Sequence, residues 1–271
     1  MKTKVVFVAL YDNSHGRYVL QGLIDAGMIP CAVFVGSTRS TMRYRYRSIV
    51  RYFRKKGLKE TIDRLFYRAF AHRDVLCRSA EALPPDLCTQ AQRHGIPLIR
   101  FDNINHVRTR QIMRHYEPDF LVLGGAPLLK RNLLDLPRYG VINAHPAKLP
   151  EVRGMDVVGW SILEGVPIGL TVFFVDEGVD TGPILSFHEV SNGLGLSLEQ
   201  IEQKLQSQAG IATVKAIQGF LSGELCPQLQ GKQDGKLYRA LPKATRKEVN
   251  HFLQQRESDR HVFQKYGKKS R

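Results

Sequence analysis

Short runs of apolar residues alternate along the chain with stretches in which apolar side chains recur every three or four positions. Runs of four to eight apolar residues bounded by polar residues, Gly or Pro are typical of buried strands, and the longer spacing is typical of amphipathic helices. The pattern predicts strands at 5–10, 30–36, 96–101, 119–125, 140–145, 168–175 and 182–190. It predicts helices at 16–27, at 108–117 and from Ser197 onward. Such alternation predicts an α/β fold with a mainly parallel twisted sheet and helices on both faces.

The helix after Ser197 carries the clearest local signal. Ser197 and Gln200 have the spacing of a capping box, in which each side chain accepts a hydrogen bond from the other residue's backbone. The residues predicted to form its apolar face are Leu198, Ile201, Leu205, Ile211, Val214, Ile217 and Leu221.

Length and composition indicate one large folded domain followed by a short extension. The chain has 271 residues, 43% of them hydrophobic, which is enough for a buried core. We expect one domain over 1–225 and a short basic C-terminal extension over 226–271, in which a strand-like turn and a helix pack on the domain. The first apolar run is only six residues long, so it favours a buried strand over a signal peptide. The four cysteines form no CxxC pair, which is typical of reduced thiols, and we expect a cytoplasmic protein.

Two segments carry the net charge of +15, whereas the rest of the chain is nearly neutral. Residues 39–73 hold 12 Lys or Arg against 2 Asp or Glu, and residues 236–271 hold 11 against 3. Within 39–73, two apolar stripes separated by Gly57 predict a basic helical hairpin inserted into the α/β body. Two interpretations remain open. The stripes dock on the body or on a second subunit of a homo-oligomer, or the basic face binds nucleic acid or an anionic membrane.

Candidate chemistry lies at the end of the strand predicted at 140–145, where Asn143 and His145 stand two positions apart. In parallel sheets, ligands bind at the carboxyl ends of the strands. Asp180 follows in a loop between two further predicted strands. Transfer of a one-carbon acyl group to an amine requires hydrogen-bond donors for the oxyanion and a base for the amine's proton. An amide, an imidazole and a carboxylate supply these groups, although an isolated Asn-x-His is more often part of a turn.

The wider pattern around these residues resembles the 10-formyltetrahydrofolate-dependent formyltransferase family. That family includes glycinamide ribonucleotide, methionyl-tRNA and amino-sugar formyltransferases. Its pattern is approximately Asn-x-His-Pro-Ser-Leu-Leu-Pro, then Arg-Gly, a tryptophan, Thr-Val, and Val-Asp-x-Gly-x-Asp-Thr-Gly-Pro-Ile. The chain matches it with Asn143-Ala-His145-Pro146-Ala-Lys-Leu149-Pro150, Arg153-Gly154, Trp160, Thr171-Val172 and Val175-Asp176-Glu-Gly178-Val-Asp180-Thr181-Gly182-Pro183-Ile184.

The resemblance implies an enzyme of one-carbon metabolism with a Rossmann-like catalytic domain. Asn143, His145 and Asp180 would form its catalytic trio. The formyl donor would be 10-formyltetrahydrofolate, which is a folate substrate, and no metal would be needed. The residues implied to bind the donor, mostly through backbone groups, are Ala126, Pro127, Leu128, Leu129, Val175, Asp176, Glu177, Gly178 and Val179.

Departures from the family pattern bear on the amine acceptor. Ala147 and Lys148 replace the usual Ser-Leu, and Lys148 is either a contact for an acidic acceptor or a solvated loop residue. The loop YDNSHG at 11–16 lacks the Gly-rich phosphate-binding run of the glycinamide ribonucleotide enzymes. Only 36 residues follow position 235, too few for the barrel domain of the tRNA enzymes.

We therefore expect the acceptor to be a primary amine on an anionic small molecule such as an amino-sugar nucleotide. A methionyl-tRNA formyltransferase-like enzyme is one alternative. The other is a basic nucleic-acid- or membrane-binding protein on the same scaffold, although intact Asn143, His145 and Asp180 favour catalysis.

Overall fold

A computed structural model describes residues 3–37, 83–190, 196–231 and 234–255, together with positions 42, 46, 50, 53 and 54. The basic insert predicted at 39–73 lies almost entirely outside the described residues, as does the part of the C-terminal extension after 255. Its two interpretations therefore stay predictions.

Seven of the described strands form one sheet in the order β3-β2-β1-β4-β5-β7-β8. Strands β1 to β5 run parallel to one another, and β7 and β8 add an antiparallel edge. A separate pair joins β6 to β9. The strands are β1 (Val5–Ala9), β2 (Ala32–Gly36), β3 (Leu98–Phe101), β4 (Phe120–Leu123), β5 (Gly140–His145), β6 (Val152–Gly154), β7 (Gly169–Phe174), β8 (Ile184–Glu189) and β9 (Lys236–Tyr238).

Helices cover both faces of this sheet. They are α1 (Ser14–Asp25), α2 (Leu87–Arg93), α3 (Val107–His115), α4 (Arg131–Leu134), α5 (Val157–Glu164), α6 (Leu198–Ser222) and α7 (Lys243–Gln255). The core has two parts, one on each face of the sheet, and alternate residues of β1 contribute to each. Val5 and Phe7 pack with α1 and α6, whereas Val6 and Val8 pack with side chains of α3 and α4. This arrangement confirms the predicted α/β fold with a mainly parallel sheet.

The contact between α1 and α6 depends on two glycines. A Cβ atom on Gly22 would lie 2.6 Å from the Cα atom of Gly210, so no larger residue fits at this crossing. The capping box predicted for α6 is present, with the Ser197 and Gln200 side chains each accepting a backbone hydrogen bond. The predicted apolar face was wrong at Ile211 and Leu221, whose side chains are 53% and 42% exposed. Small residues occupy the buried face there because the two helix backbones approach so closely.

The C-terminal extension packs on the body through α7. Val249 and Leu253 are buried, at 1% and 3% exposure. Arg246 pairs with Glu199 and Glu202 of α6. The Oδ1 atom of Asn250 accepts a hydrogen bond from Leu198 N, one of the free N–H groups at the start of α6. The extension thus also satisfies a donor at the start of α6.

Substituting Gly210 tests the glycine crossing. We expect Gly210→Val to lower the free energy of unfolding by at least about 2 kcal/mol, because the added atoms collide with the backbone of α1. Gln218→Val is the matched control, since it places the same residue at an exposed position of the same helix. Urea unfolding followed by circular dichroism measures both. Equal small losses would contradict close packing.

Candidate functional site

Asn143 and His145 lie on the same face of β5 at its carboxyl end, since alternate residues of a strand share a face. The intervening Ala144 and the preceding Ile142 face the core under α1 and α6. Asn143 is flanked in register by β4 on one side and β7 on the other. The parallel sheet therefore presents the amide and the imidazole at the edge where its strands end.

The imidazole of His145 is held in a fixed orientation. The ring is 4% exposed, and its Nε2 atom lies 3.0 Å from the carbonyl oxygen of Val152. Because a carbonyl oxygen only accepts hydrogen bonds, this contact assigns a hydrogen to Nε2. The Phe173 ring packs edge-to-face with the imidazole, with 6.4 Å between the two ring centroids. The other ring nitrogen, Nδ1, is left facing Asp180.

Asp180 reaches the imidazole from the loop between β7 and β8. Its Oδ2 atom accepts a hydrogen bond from Gly154 N at 2.9 Å and lies 3.7 Å from Nδ1 of His145. Asp180 has a positive φ of 55°, which is uncommon for a residue other than Gly, Asn or Asp. Gly154 has a φ of 106°, and a side chain there would collide with the Tyr238 carbonyl. The structure thus brings His145 and Asp180 together.

Thr171 holds the loop that connects β5 to β6. This residue of β7 is fully buried and lies opposite His145 in the antiparallel register. Its hydroxyl donates to Ala147 O at 2.6 Å and accepts from Leu149 N at 3.1 Å. In the same loop, Lys148 forms an ion pair with Glu151 at 2.7 Å.

Two polar groups of the predicted trio have no protein hydrogen bond within the described part of the chain. One is the side-chain amide of Asn143, and the other is Oδ1 of Asp180. Both residues are partly exposed. A donor and an acceptor are therefore available beside a fixed imidazole.

The segment Ala126–Leu129, predicted to bind the donor, follows β4 directly. Leu128 is 73% exposed, whereas Leu129 is buried in the core. Asn105 holds the end of the segment through Leu128 O and Lys130 N. The backbone N–H groups of Ala126, Leu128 and Leu129 bond to no other described residue.

The second predicted donor segment, Val175–Val179, lies beside the first. Val175 N donates to Val141 O, near the start of β5, and Val175 packs in the same hydrophobic cluster as Ala126. Asp176 organises the turn by accepting from Gly178 N and the Thr181 hydroxyl. Glu177 lies 3.8 Å from Arg131, which begins α4 immediately after the first segment.

His15 is a site residue that the sequence pattern does not single out. It is the second residue of α1, whose N-cap Asn13 donates to Gly124 O just beyond β4. Burial, reinforced by the nearby His145, lowers the pKa of His15 from 6.5 to about 4. A neutral imidazole therefore stands near His145. Its motif, YDNSHG, offers no periodic or spacing signal for such a role.

Among the described residues, no group of three or more His, Cys, Asp or Glu side chains could hold a metal ion. No helix in the same part of the chain has the length and apolar composition needed to cross a membrane.

The family model for formyl transferases matches residues 76–217, about half of the chain and the part that contains Asn143, His145 and Asp180. The chain therefore belongs to the formyl transferase family.

Curated relatives support this placement. A methionyl-tRNA formyltransferase from Clostridium perfringens is 32% identical over 147 residues, which cover 53% of this chain and 48% of that protein. One from Chlamydia pneumoniae is 32% identical over 173 residues, covering 63% and 53%. The chain spans about half the length of the curated relatives it matches.

Solved structures share the fold at low identity. Glycinamide ribonucleotide transformylase 1 from Symbiobacterium toebii aligns with a TM-score of 0.54 and 18% identity, over 84% of this chain and 94% of that one. An N-formyltransferase from Helicobacter canadensis, crystallised with folinic acid and dTDP-3-aminofucose, aligns with a TM-score of 0.54 and 13% identity, over 88% and 71%.

The low pKa of His15 predicts a pH-dependent stability. Because the folded-state pKa lies below the unfolded-state value, folding favours the neutral ring. The full stability is present above pH 6.5 and is lost as the pH falls toward 4. Between pH 7 and pH 5 the wild type should lose about 1 kcal/mol more unfolding free energy than His15→Gln, a value reduced for the partial exposure of the ring. Urea unfolding at both pH values measures this. Equal losses would argue against a buried neutral ring.

Proposed function

We propose that this protein is an N-formyltransferase that moves the formyl group of 10-formyltetrahydrofolate to a primary amine. The observation that carries the proposal is the geometry at the end of β5, in a chain of the formyl transferase family. There a fixed imidazole, a carboxylate 3.7 Å from it and an unpartnered amide lie together.

In the proposed mechanism, Asn143 and His145 stabilise the oxyanion. The neutral amine attacks the formyl carbon, and the carbonyl oxygen takes the electron pair as a negative charge. The Asn143 amide donates to this oxygen. His145 uses Nε2–H for Val152 O, so its donor to the substrate would be Nδ1–H, which the ring carries beside Nε2–H only when it is doubly protonated. At 3.7 Å, Nδ1 and Oδ2 of Asp180 are farther apart than a hydrogen bond, which leaves this hydrogen free for a substrate oxygen.

Asp180 is the proposed base. As the new C–N bond forms, the attacking nitrogen becomes positively charged and must lose a proton. Oδ2 of Asp180 is occupied by Gly154 N, so Oδ1 would accept the proton, directly or through water. The tetrahedral intermediate then expels the donor nitrogen N10, the carbonyl re-forms, and N10 takes up a proton. The products are a formamide and tetrahydrofolate.

The donor would bind along Ala126–Leu129 and Val175–Val179. A flat pterin ring carries several hydrogen-bonding edges, which suits free backbone groups between apolar walls. The N–H groups of the first segment that bond to no other described residue support this placement, as does the packing of Ala126 and Val175 in one hydrophobic cluster, which places the two segments side by side.

For the acceptor, we propose a primary amine on an anionic small molecule, such as an amino-sugar nucleotide. The net charge of +15 lies in 39–73 and 236–271, and it suits an anionic acceptor of either kind only if one of these segments borders the site. Methionyl-tRNA is the second candidate, because the curated relatives above are methionyl-tRNA formyltransferases. Both acceptors use the same chemistry at the end of β5.

Replacing the proposed base should abolish most turnover. We expect Asp180→Asn to lower kcat by about a hundredfold or more, and His145→Ala to do the same, with donor binding largely retained. Asn can still accept the Gly154 N–H bond, so the loop should keep its shape. Tetrahydrofolate release measures turnover, and Asp135→Asn, at an exposed position after α4, is the control. Near wild-type kcat in Asp180→Asn would remove this role from Asp180.

A panel of acceptors separates the two candidates. We expect tetrahydrofolate release with amino-sugar nucleotides and little with methionyl-tRNA. The reverse result would favour tRNA, whose binding should weaken steeply between 50 and 200 mM salt through counterion release. No release with any amine, in protein that binds the donor, would contradict the proposed function.

A further inference from the structure

The C-terminal segment formed by residues 228–231 and 234–241 lies against both polypeptide segments that hold His145 and Asp180. It lies outside the stretch that the formyl transferase family model matches, 76–217. Its contacts fall on β6 and on the β7–β8 loop. We propose that this segment positions the His145–Asp180 pair, and that Gln230 is a positioning residue that acts through Asp180. The inference rests on the proposed function for its kinetic consequence.

The first contact is with the loop that carries Asp180. The Nε2 atom of Gln230 donates to Gly182 O at 2.6 Å and to Asp180 O at 3.3 Å. One side-chain amide therefore bridges two carbonyls on either side of Thr181. Nearby, Gln228 and Ile184 exchange two backbone hydrogen bonds, of 2.7 and 2.8 Å, which fix the segment to the start of β8.

The bridge acts at a residue with an uncommon backbone conformation. Asp180 has a φ of 55°, in the left-handed region that few residues other than Gly, Asn and Asp adopt, so neighbouring contacts help to keep it there. Gly182 also lacks room for a side chain, since a Cβ atom there would collide with the Phe174 carbonyl. The Gln230 amide is a contact that fixes this backbone directly.

The second contact is with the strand that orients both groups. β9 pairs in parallel with β6, so that Val152 lies opposite Lys236 and Gly154 opposite Tyr238. Val152 supplies the carbonyl that holds His145, and Gly154 supplies the N–H group that holds Asp180. At three residues, β6 is too short to be stable alone.

β9 is itself fixed to the body by side chains. The ring of Tyr238 stacks on Trp160 at 4.8 Å between centroids, and the Trp160 indole N–H donates to Arg239 O at 2.8 Å. The Asp156 carboxylate accepts from Leu241 N at 2.8 Å. The segment is therefore a rigid support that reaches the pair from two directions.

Displacement of this support should affect the chemical step. A shift of about 1 Å in a reacting group can lower the rate by about a hundredfold. A partial loss of support should therefore lower kcat by a smaller factor. We expect Gln230→Leu, which keeps the size of the side chain and removes both hydrogen bonds, to lower kcat by about tenfold. The matched control is Gln228→Leu, the same substitution two positions earlier at an exposed side chain, and it should leave kcat within twofold.

A double-mutant cycle distinguishes positioning from general destabilisation. If Gln230 acts through Asp180, Gln230→Leu should have little further effect on kcat once Asp180 is already Asn, because residues that act as a unit are not additive. A tenfold loss in the Asp180→Asn background as well would overturn the proposal. So would a wild-type kcat in Gln230→Leu alone.

A spectroscopic measurement keeps the test independent of activity. In protein labelled with ¹⁵N-histidine, the ring resonances of His145, assigned with His145→Gln, should shift in Gln230→Leu and stay in place in Gln228→Leu. Unchanged resonances in Gln230→Leu would overturn the positioning role even in a protein that formylates nothing. If instead the resonances shift and no amine is formylated by the wild type, the proposed function fails and the positioning role stands.

Because Gln230→Leu could also lower the fraction of folded protein, a second variant is taken from the contact between β9 and β6. Tyr238→Ala removes the stack on Trp160 and should shift the same His145 resonances and lower kcat, whereas Tyr238→Phe keeps the stack and should restore both. Leu237→Ala, at a side chain that is 55% exposed on the same strand, should change neither. Equal behaviour of Tyr238→Ala and Leu237→Ala would contradict a role for β9.

Discussion

The short strand β6 sets the relation between His145 and Asp180. Its Val152 carbonyl orients the imidazole, and two residues later its Gly154 N–H group orients the carboxylate. The two backbone groups lie on either side of Arg153, so β6 sets the 3.7 Å separation of the two side chains. Backbone hydrogen bonds at a buried site hold the pair more firmly than its charges do.

The sheet explains why these groups meet where they do. Parallel strands end at a common edge, so β4 and β5 bring the segment after Leu123 beside Asn143. The close approach of α1 to this edge depends on a helix start with no bulky side chain, because a Cβ on Gly16 would lie 2.8 Å from Gly124 O. That approach carries His15 toward His145. Packing at the start of α1 thus decides that His15 lies near His145.

The sequence predicted what local patterns encode. Short apolar runs predicted the seven strands of the main sheet, and the spacing of Ser197 and Gln200 predicted a cap that is present. β6 has no such pattern, because its three residues become a strand only by pairing with residues more than eighty positions later. The exposure of Ile211 was missed for a related reason, since the glycine contact that turns α6 is a tertiary effect. Periodicity did not single out Asp180; the need for a carboxylate beside Asn143 and His145, and then the resemblance to a family, did. Its backbone conformation and its distance from His145 could not be read from one chain.

The charges in the cleft suit an amine substrate. An amine with an ordinary pKa enters from water as an ammonium and must lose a proton before it can attack. His15 stays neutral at neutral pH because burial lowers its pKa to about 4, so it does not repel that cation. In the proposed function, Asp180 would attract the cation, and its Oδ1 would take the proton, since Oδ2 accepts from Gly154 N. A charged imidazole at His15 would oppose the approach of the ammonium. The burial of His15 near the end of β4 prevents that charge from forming at neutral pH.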